Sequence, residues 1–394
     1  MMDLEGGQTS KRDDEKPMEG LSRHLHHSLN LNKVIIWMTA LVIAADVFIV
    51  LYRSGYPNSP SLPTSRDSKE YSFASQSFSF GQAKNVSSSS STTSGDHSCS
   101  ANRSSPNPQV DKDSEKTKLE RVLCKAATVD KTVIFTAANA AWTSPGSLID
   151  LFLEGFRIGD QTISLLNHLV IVAMDQKAYS RCLEVHQHCY ALTTEGVNFS
   201  GEAHFMSEQY LKMMWRRLDF MRTILELGYN FIFTDSDILW LRNPFPRFYE
   251  DADFQIASDE YRFNSTDPNN KSNAGFIYVR SNNKTLQFYN FWYWSKDTYP
   301  GKNEQDVFNR LKKNPFISEI GLKMRFLDTE YFSGFCQPSK DLNVVCTMHA
   351  NCCYGIRNKI HDLQRVIDDW RDYRESPRNS TNPYPWAFAK KYCA

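Results

Sequence analysis

Hydrophobic and polar positions divide this chain into three regimes. Val34 to Tyr52, VIIWMTALVIAADVFIVLY, is apolar almost throughout. From Arg53 to about Lys116, Ser, Pro and Asn predominate and no apolar period is sustained. Beyond that, short apolar runs alternate with stretches of helical period. KTVIFTAAN (131–139) predicts a buried strand, and SPGSLIDLFLEGFR (144–157) predicts a helix opened by Ser-Pro. HLVIVAMD (168–175) predicts a second strand. In SEQYLKMMWRRLDFMRTILELG (207–228), Leu211, Met214, Trp215, Leu218, Met221 and Leu225 share one helical face, and Gly228 stops the helix. NFIFTD predicts a third strand. FYNFWYW (288–294) predicts a helix packing several rings into the core rather than an exposed ring platform for a ligand. In KIHDLQRVIDDWRDYRE, the spacing of Ile360, Leu363, Ile367 and Trp370 predicts a closing helix. Strands alternating with helices predict an α/β domain over 119–394, with a largely parallel twisted sheet covered by helices on both faces.

The first regime bears on compartment. Val34–Tyr52 is long enough to cross a bilayer as a helix. Asp46 within it costs about 2.5–3.5 kcal/mol near mid-bilayer and less towards the end, which the surrounding Ile, Val, Leu and Phe offset. The segment before the run, 1–33, is too long for an ordinary signal-peptide n-region. The expectation is therefore a cytoplasmic tail (1–33), a transmembrane signal anchor (34–52) and a disordered Ser-rich stem (53–118). Lys16, Arg23 and Lys33 nearly balance Arg53, Arg66 and Lys69, so charge does not decide orientation. The rest of the chain does. Glycosylation triplets at Asn85, Asn102, Asn198, Asn264, Asn270, Asn283 and Asn379 all follow the span, as do all 9 cysteines. An oxidising lumen suits both. An odd count leaves at least one cysteine without an intrachain partner. Cys99 and Cys393 are the expected spares, and a disulfide-linked or other oligomer stays open. The vicinal Cys352-Cys353 is expected to bond to separate partners. No CxxC pair occurs, so no zinc cluster is expected.

Charge adds a restriction. With 45 basic and 45 acidic residues there is no global field for nucleic acid, so an anionic ligand needs local basic groups. The most informative stretch is FIFTDSDILWLRNPF, where an apolar strand ends on Asp235-Ser236-Asp237. In an open α/β sheet, ligands bind at the carboxyl ends of strands. Side chains two apart point the same way in extended structure, so both carboxylates converge on one point. Like charges held together repel unless a cation sits between them, and carboxylate plus water suits Mg²⁺ or Mn²⁺. A solvated turn is the plain alternative for a bare Asp-x-Asp.

GYNFIFTDSDILWLRNPF, NAGFIYVRS, EQDVFN and HANCCYGIRNKIHDL together resemble the plant nucleotide-diphospho-sugar transferase family, placed with the type II Golgi enzymes of glycosyltransferase family 77. The resemblance spans roughly 125–375. It implies a GT-A-like fold, a nucleotide-sugar donor, a Mn²⁺-bridged diphosphate and retention of anomeric configuration. It also implies transfer of arabinose, galactose or xylose to a cell-wall glycan or glycoprotein acceptor. Asp235, Asp237 and His349 are the metal candidates, with Asp235 binding directly or holding ribose and a metal-bound water. Lys359, which follows Gly355, is the diphosphate candidate. Gln305 and Asp306 are the catalytic candidates facing the donor sugar. Asn273 and Gly275 precede a β-branched and aromatic run and join Asp235, Thr136, Asn139 and Arg216 in the donor-binding set. The glycine lets backbone approach a ligand and the amide bonds sugar hydroxyls; a plain turn before a strand is the alternative. Two other classes compete: a luminal metal-dependent phosphohydrolase, for which no further Asp/His cluster stands out, and a catalytically silent carbohydrate-binding scaffold.

Overall fold

The computed structural model describes residues 114–376, 383–386 and 391–393. The apolar run 34–52, the Ser-rich segment up to 113, Cys99, and the triplets at Asn85, Asn102 and Asn379 lie outside the described residues. Among the described residues, no helix is long and apolar enough to cross a membrane.

Helix α1 (Glu115–Ala126) starts inside the stretch read as stem, capped by the Ser114 hydroxyl, which accepts from Thr117 N. Strand β1 (Thr132–Ala138) leads to a single helical turn, α2 (Ala140–Thr143), and then α3 (Leu148–Ile158). The Ser-Pro pair does not open α3. Gly146 takes φ 76° in a turn after Pro145, and Ser147 holds the position before the helix, its hydroxyl donating back to Ala141 O. Next come β2 (Leu169–Ala173), α4 (Gln176–Val185), β3 (Cys189–Ala191) and α5 (Glu208–Glu226). Gly228 at φ 79° stops α5, as expected from its position. The chain continues through β4 (Asn230–Thr234), β5 (Ile238–Trp240), β6 (Phe254–Glu260), β7 (Lys271–Val279) and α6 (Asn283–Thr298). It closes with α7 (Glu304–Leu311), α8 (Pro315–Glu319), β8 (Met324–Phe326), β9 (Phe332–Gly334), β10 (Thr347–His349) and α9 (Ile356–Glu375).

Seven strands form one sheet in the order β3-β2-β1-β4-β7-β6-β8, and three form a second, β5-β10-β9. In the large sheet only β7 runs against the others. The sheet is thus largely parallel but mixed, because β7 returns from β6 by a short connection that cannot hold a crossover helix. Along β1, Val133 and Phe135 face the α1, α5 and α6 side, while Ile134 faces α3. Burying each such side chain stabilises the fold by about 1.5–3 kcal/mol. Phe288, Tyr289 and Trp292 of α6 are fully buried, so that aromatic run is core, whereas Trp294 is exposed. On α5, Met214, Leu218, Met221 and Leu225 are buried as expected, and Arg217 joins them.

The small sheet rests on a separate apolar cluster that includes Leu239, Leu241, Met348 and, from α9, Leu363, Ile367 and Trp370. Cys336–Cys352 staples the ends of β9 and β10, and Cys353–Cys393 ties the chain after β10 to the C-terminal segment. The vicinal pair does bond to separate partners. Cys393 is not a spare, because the Asp362 carboxylate accepts from the backbone N–H groups of Lys391, Tyr392 and Cys393 and holds that segment in place. Cys346 is the free thiol among the described residues, and Cys182–Cys189 joins α4 to β3. Of the glycosylation candidates, Asn198, Asn264 and Asn283 are exposed. Asn270 is fully buried: its amide donates to Asn264 O and Asp267 O and accepts from Arg262 N, which leaves no room for a glycan.

Candidate active site

Asp235, Ser236 and Asp237 form a turn in which Ile238 N donates to Asp235 O at 3.2 Å. The two carboxylates therefore do not converge through strand pleating, as the extended reading required. They converge because the turn reverses the chain and the second sheet docks against it. β10 pairs antiparallel with β5 so that His349 lies opposite Ile238, and Ala350 N donates to Asp237 O at 3.0 Å. This register brings His349 Nε2 to 3.3 Å from Asp237 Oδ1, without the alignment of a hydrogen bond. Lys359, in the first turn of α9, places its Nζ 2.5 Å from Asp237 Oδ2. Gly355 at φ 83° gives the chain the sharp entry into that helix.

Ligand atoms of Asp235, Asp237 and His349 all lie within 4.8 Å of one another. Asp237 is 1% exposed, yet its Oδ1 has no hydrogen-bond partner. An orphaned buried carboxylate oxygen is costly unless something positive or donating fills the position. Gly275 keeps that position open. A Cβ there would stand 2.6 Å from His349 Cε1, 2.7 Å from Asp235 Oδ2 and 2.8 Å from Asn273 Oδ1. Two carboxylates and an imidazole around such a cradle fit a divalent cation of the Mn²⁺ type.

The two carboxylates differ electrostatically. Burial disfavours the charge on both. For Asp235 it outweighs the pull of Arg217, and Asp237 adds repulsion, so its carboxyl is pushed above the ordinary range. For Asp237, Lys359 and His349 more than offset burial and hold the carboxyl well below that range.

The other candidates divide. Gln305 Oε1 accepts from Ala274 N at 2.8 Å and ties the start of α7 to β7, and Asp306 is exposed on that first turn. Asn273 and Gly275 lie within β7, so the alternative of a plain turn before a strand does not hold. Both ends of the Asn273 amide are engaged: Oδ1 accepts from Gly275 N, and Nδ2 donates to Asp259 Oδ1, which also accepts from Asn351. Asn273 thus braces the cradle instead of presenting an amide to a sugar. Asn139 caps α2 and donates to Phe199 O and Gly201 O, so its amide is spent on the backbone. Thr136 is buried in β1 with its hydroxyl unpartnered. Arg216 turns away from the carboxylates to Asp219 and Thr194, beside Trp215, Tyr293 and Lys296 in a groove of about 440 Å³.

It is the adjacent Arg217 that reaches the site. It donates to Asp235 Oδ1 and to Glu304 Oε1, each at 2.6 Å, in a buried fork. Sequence reasoning missed Arg217, Glu304, Asp259 and Asn351. A signal existed for Arg217, because it falls on the apolar face of α5 between Met214 and Met221. Glu304 carries no comparable signal, since an acid at a helix start also suits the helix dipole.

Residues 164–363 match the family described as nucleotide-diphospho-sugar transferase. An uncharacterized protein of Arabidopsis thaliana is 52% identical over 257 residues, covering 65% of this chain and 68% of the relative. A second uncharacterized protein of that plant is 44% identical over 260 residues, covering 65% of this chain and 78% of its own length. The Arabidopsis thaliana beta-arabinofuranosyltransferase RAY1 is 26% identical over 175 residues, covering 43% of this chain and 30% of the relative.

Proposed function

Because the chain belongs to the nucleotide-diphospho-sugar transferase family, we propose that it is a Mn²⁺-dependent Golgi enzyme that glycosylates a cell-wall glycan or glycoprotein. As a member of that family it is a nucleotide-sugar-dependent glycosyltransferase. The donor sugar in this reading is of the arabinose, galactose or xylose type, and its configuration is retained. The anchor at 34–52 fastens the enzyme as a single-pass type II protein. The disulfides and the exposed glycosylation triplets support a luminal domain, and the likeness to an enzyme named for arabinofuranosyl transfer supports a pentose.

One observation carries the metal assignment: the orphaned Asp237 Oδ1, buried against His349 and left open by Gly275. Bound there, a divalent ion supplies Lewis-acid stabilisation of the departing diphosphate, an effect of several kcal/mol. The protein's own groups do the rest. Arg217, locked by two charged bonds, fixes the orientation of Asp235. Lys359 brings a second positive charge to the phosphates. The Gln305 bond to β7 sets the height of the α7 start, where Asp306 orients the donor sugar.

The test is a panel of nucleotide sugars with the purified chain and Mn²⁺. Sugar-specific turnover that stops on chelation and returns with Mn²⁺ is the expected result. Phosphate release without sugar preference would replace the transferase with a phosphohydrolase, and no turnover would favour a silent scaffold.

A further inference from the structure

Resting on the transferase reading, we propose that Phe205 and Tyr354 form the acceptor platform, an exposed aromatic pair that stacks a neutral sugar ring beside the Asp235–Asp237 site. Scattered exposed aromatics are ordinary. This pair is different in three respects.

First, it is assembled from segments distant in sequence. Phe205 is 57% exposed and Tyr354 73%, yet their ring centroids lie 6.2 Å apart at 69°. One ring serves as a floor and the other as a wall. Second, each ring stands just before a helix that reaches a site carboxylate. Phe205 precedes α5, whose Arg217 donates to Asp235, and Tyr354 precedes α9, whose Lys359 donates to Asp237. Phe205 packs on Tyr210 at 5.3 Å, and the Tyr210 phenol is raised by burial and by the charge of Glu304, with Asp235 and Asp306 also acting on it. On the other side, Tyr354 precedes Gly355 and the α9 turn whose Lys359 holds Asp237. Third, both residues sit on stiff, strained supports. Cys352 takes φ 51° within its disulfide to Cys336, Cys353 is bonded to Cys393, and Tyr354 O accepts from Asn358 Nδ2 at 3.0 Å. Met206, next to Phe205, takes φ 65°, and Ser207 N closes the turn onto His204 O at 2.9 Å. Left-handed non-glycine residues of this kind are strained and persist where the surroundings impose them.

A sugar ring has an apolar C–H face and a hydroxyl rim, which match an aromatic face with a phenol at its edge. The two side chains carry no charge, which suits a neutral ring rather than an anionic ligand. The nucleotide is expected at the carboxyl ends of the central strands. The aromatic pair lies in the segments that lead into α5 and α9, and in this reading it takes the incoming sugar.

Tyr354→Ala and Phe205→Ala, made in the full-length chain, test this. Neutral arabino-, galacto- and xylo-oligosaccharides serve as acceptor probes and UDP as the donor-side probe. We expect the parent chain to bind at least one oligosaccharide and each variant to weaken it about tenfold. UDP affinity, donor hydrolysis without acceptor, and melting temperature should stay unchanged, and Tyr354→Trp should keep the binding. Unchanged oligosaccharide affinity in both alanine variants, or no oligosaccharide binding by the parent, overturns the platform. An equal loss of UDP affinity overturns it too, since a nucleobase then occupies the rings. The transferase reading fails separately, by absence of sugar-specific donor turnover in the parent chain.

Discussion

The two sheets are built on different terms. In the large sheet the strands from β3 to β4 are apolar on both faces, and helices cover each side. In the small sheet each strand has three residues, and two disulfides and α9 hold it in place. Three-residue strands gain too little from their own ladder to stand alone. Yet the small sheet delivers His349, and the helix that follows it delivers Lys359. The large sheet supplies the frame, and the cross-linked small sheet supplies half of the chemistry at the seam.

The largest expected effect lies at that seam. Asp237→Asn keeps the size and removes the charge, so melting should change little. Turnover should fall about a thousandfold, or ~4 kcal/mol on the barrier. Near-normal turnover with unaltered metal dependence would return Asp235-Ser236-Asp237 to the status of a turn.

A second test separates the sheets. Replacing Cys336 and Cys352 together by Ser removes the staple across β9 and β10, which for a loop of this length contributes about 3 kcal/mol. His349 should lose its register first. Metal affinity is then expected to drop while far-ultraviolet dichroism, dominated by the large sheet and its helices, persists. Simultaneous loss of both signals would show that the two sheets fold as one unit.

The smallest effect belongs to the start of β7. Lys312 is buried and bonded to Asn309 Oδ1 at 2.6 Å, to Ser272 Oγ at 3.3 Å and to Asn270 O. Burial, with Lys313 nearby, pushes its pKa down to about 8 from the usual 10.5. Between those values the unfolded chain keeps a proton that the native state has shed. Lys312 therefore adds stability as pH rises through that window and none as pH falls below it. Lys312→Met should flatten the melting-temperature profile between about pH 8 and 10 and leave the metal site untouched. An identical slope in the variant would assign the profile to other groups.

Much of the large sheet could be read from order along the chain. KTVIFTAAN, HLVIVAMD and NFIFTD are continuous apolar runs, and a strand buried on both faces needs nothing else. Gly228 marked the end of α5, and FYNFWYW declared itself core. These signals are local because burial and backbone geometry act residue by residue. Asp235, Asp237, His349 and Lys359 were likewise legible as types, since carboxylates and an imidazole are recognisable wherever they fall.

Their arrangement was not. The angle between the carboxylates comes from a local turn and from a β5–β10 register, the latter set by contacts across more than a hundred residues. Arg217 rather than Arg216 faces Asp235 because α5 is rotated by its packing, and one position on a helix changes direction by about 100°. Asn139 and Asn270 became structural because folding surrounded their amides with backbone partners, and Asn273 because Gly275 N and the Asp259 carboxylate engage both ends of its amide, which residue identity alone does not reveal. Cys393 found Cys353 because Asp362 held the C-terminal segment against α9. The sequence by itself determined which groups are available and which runs must be buried. Only the tertiary structure decided which of those groups meet, because their meeting depends on contacts between segments that no local pattern encodes.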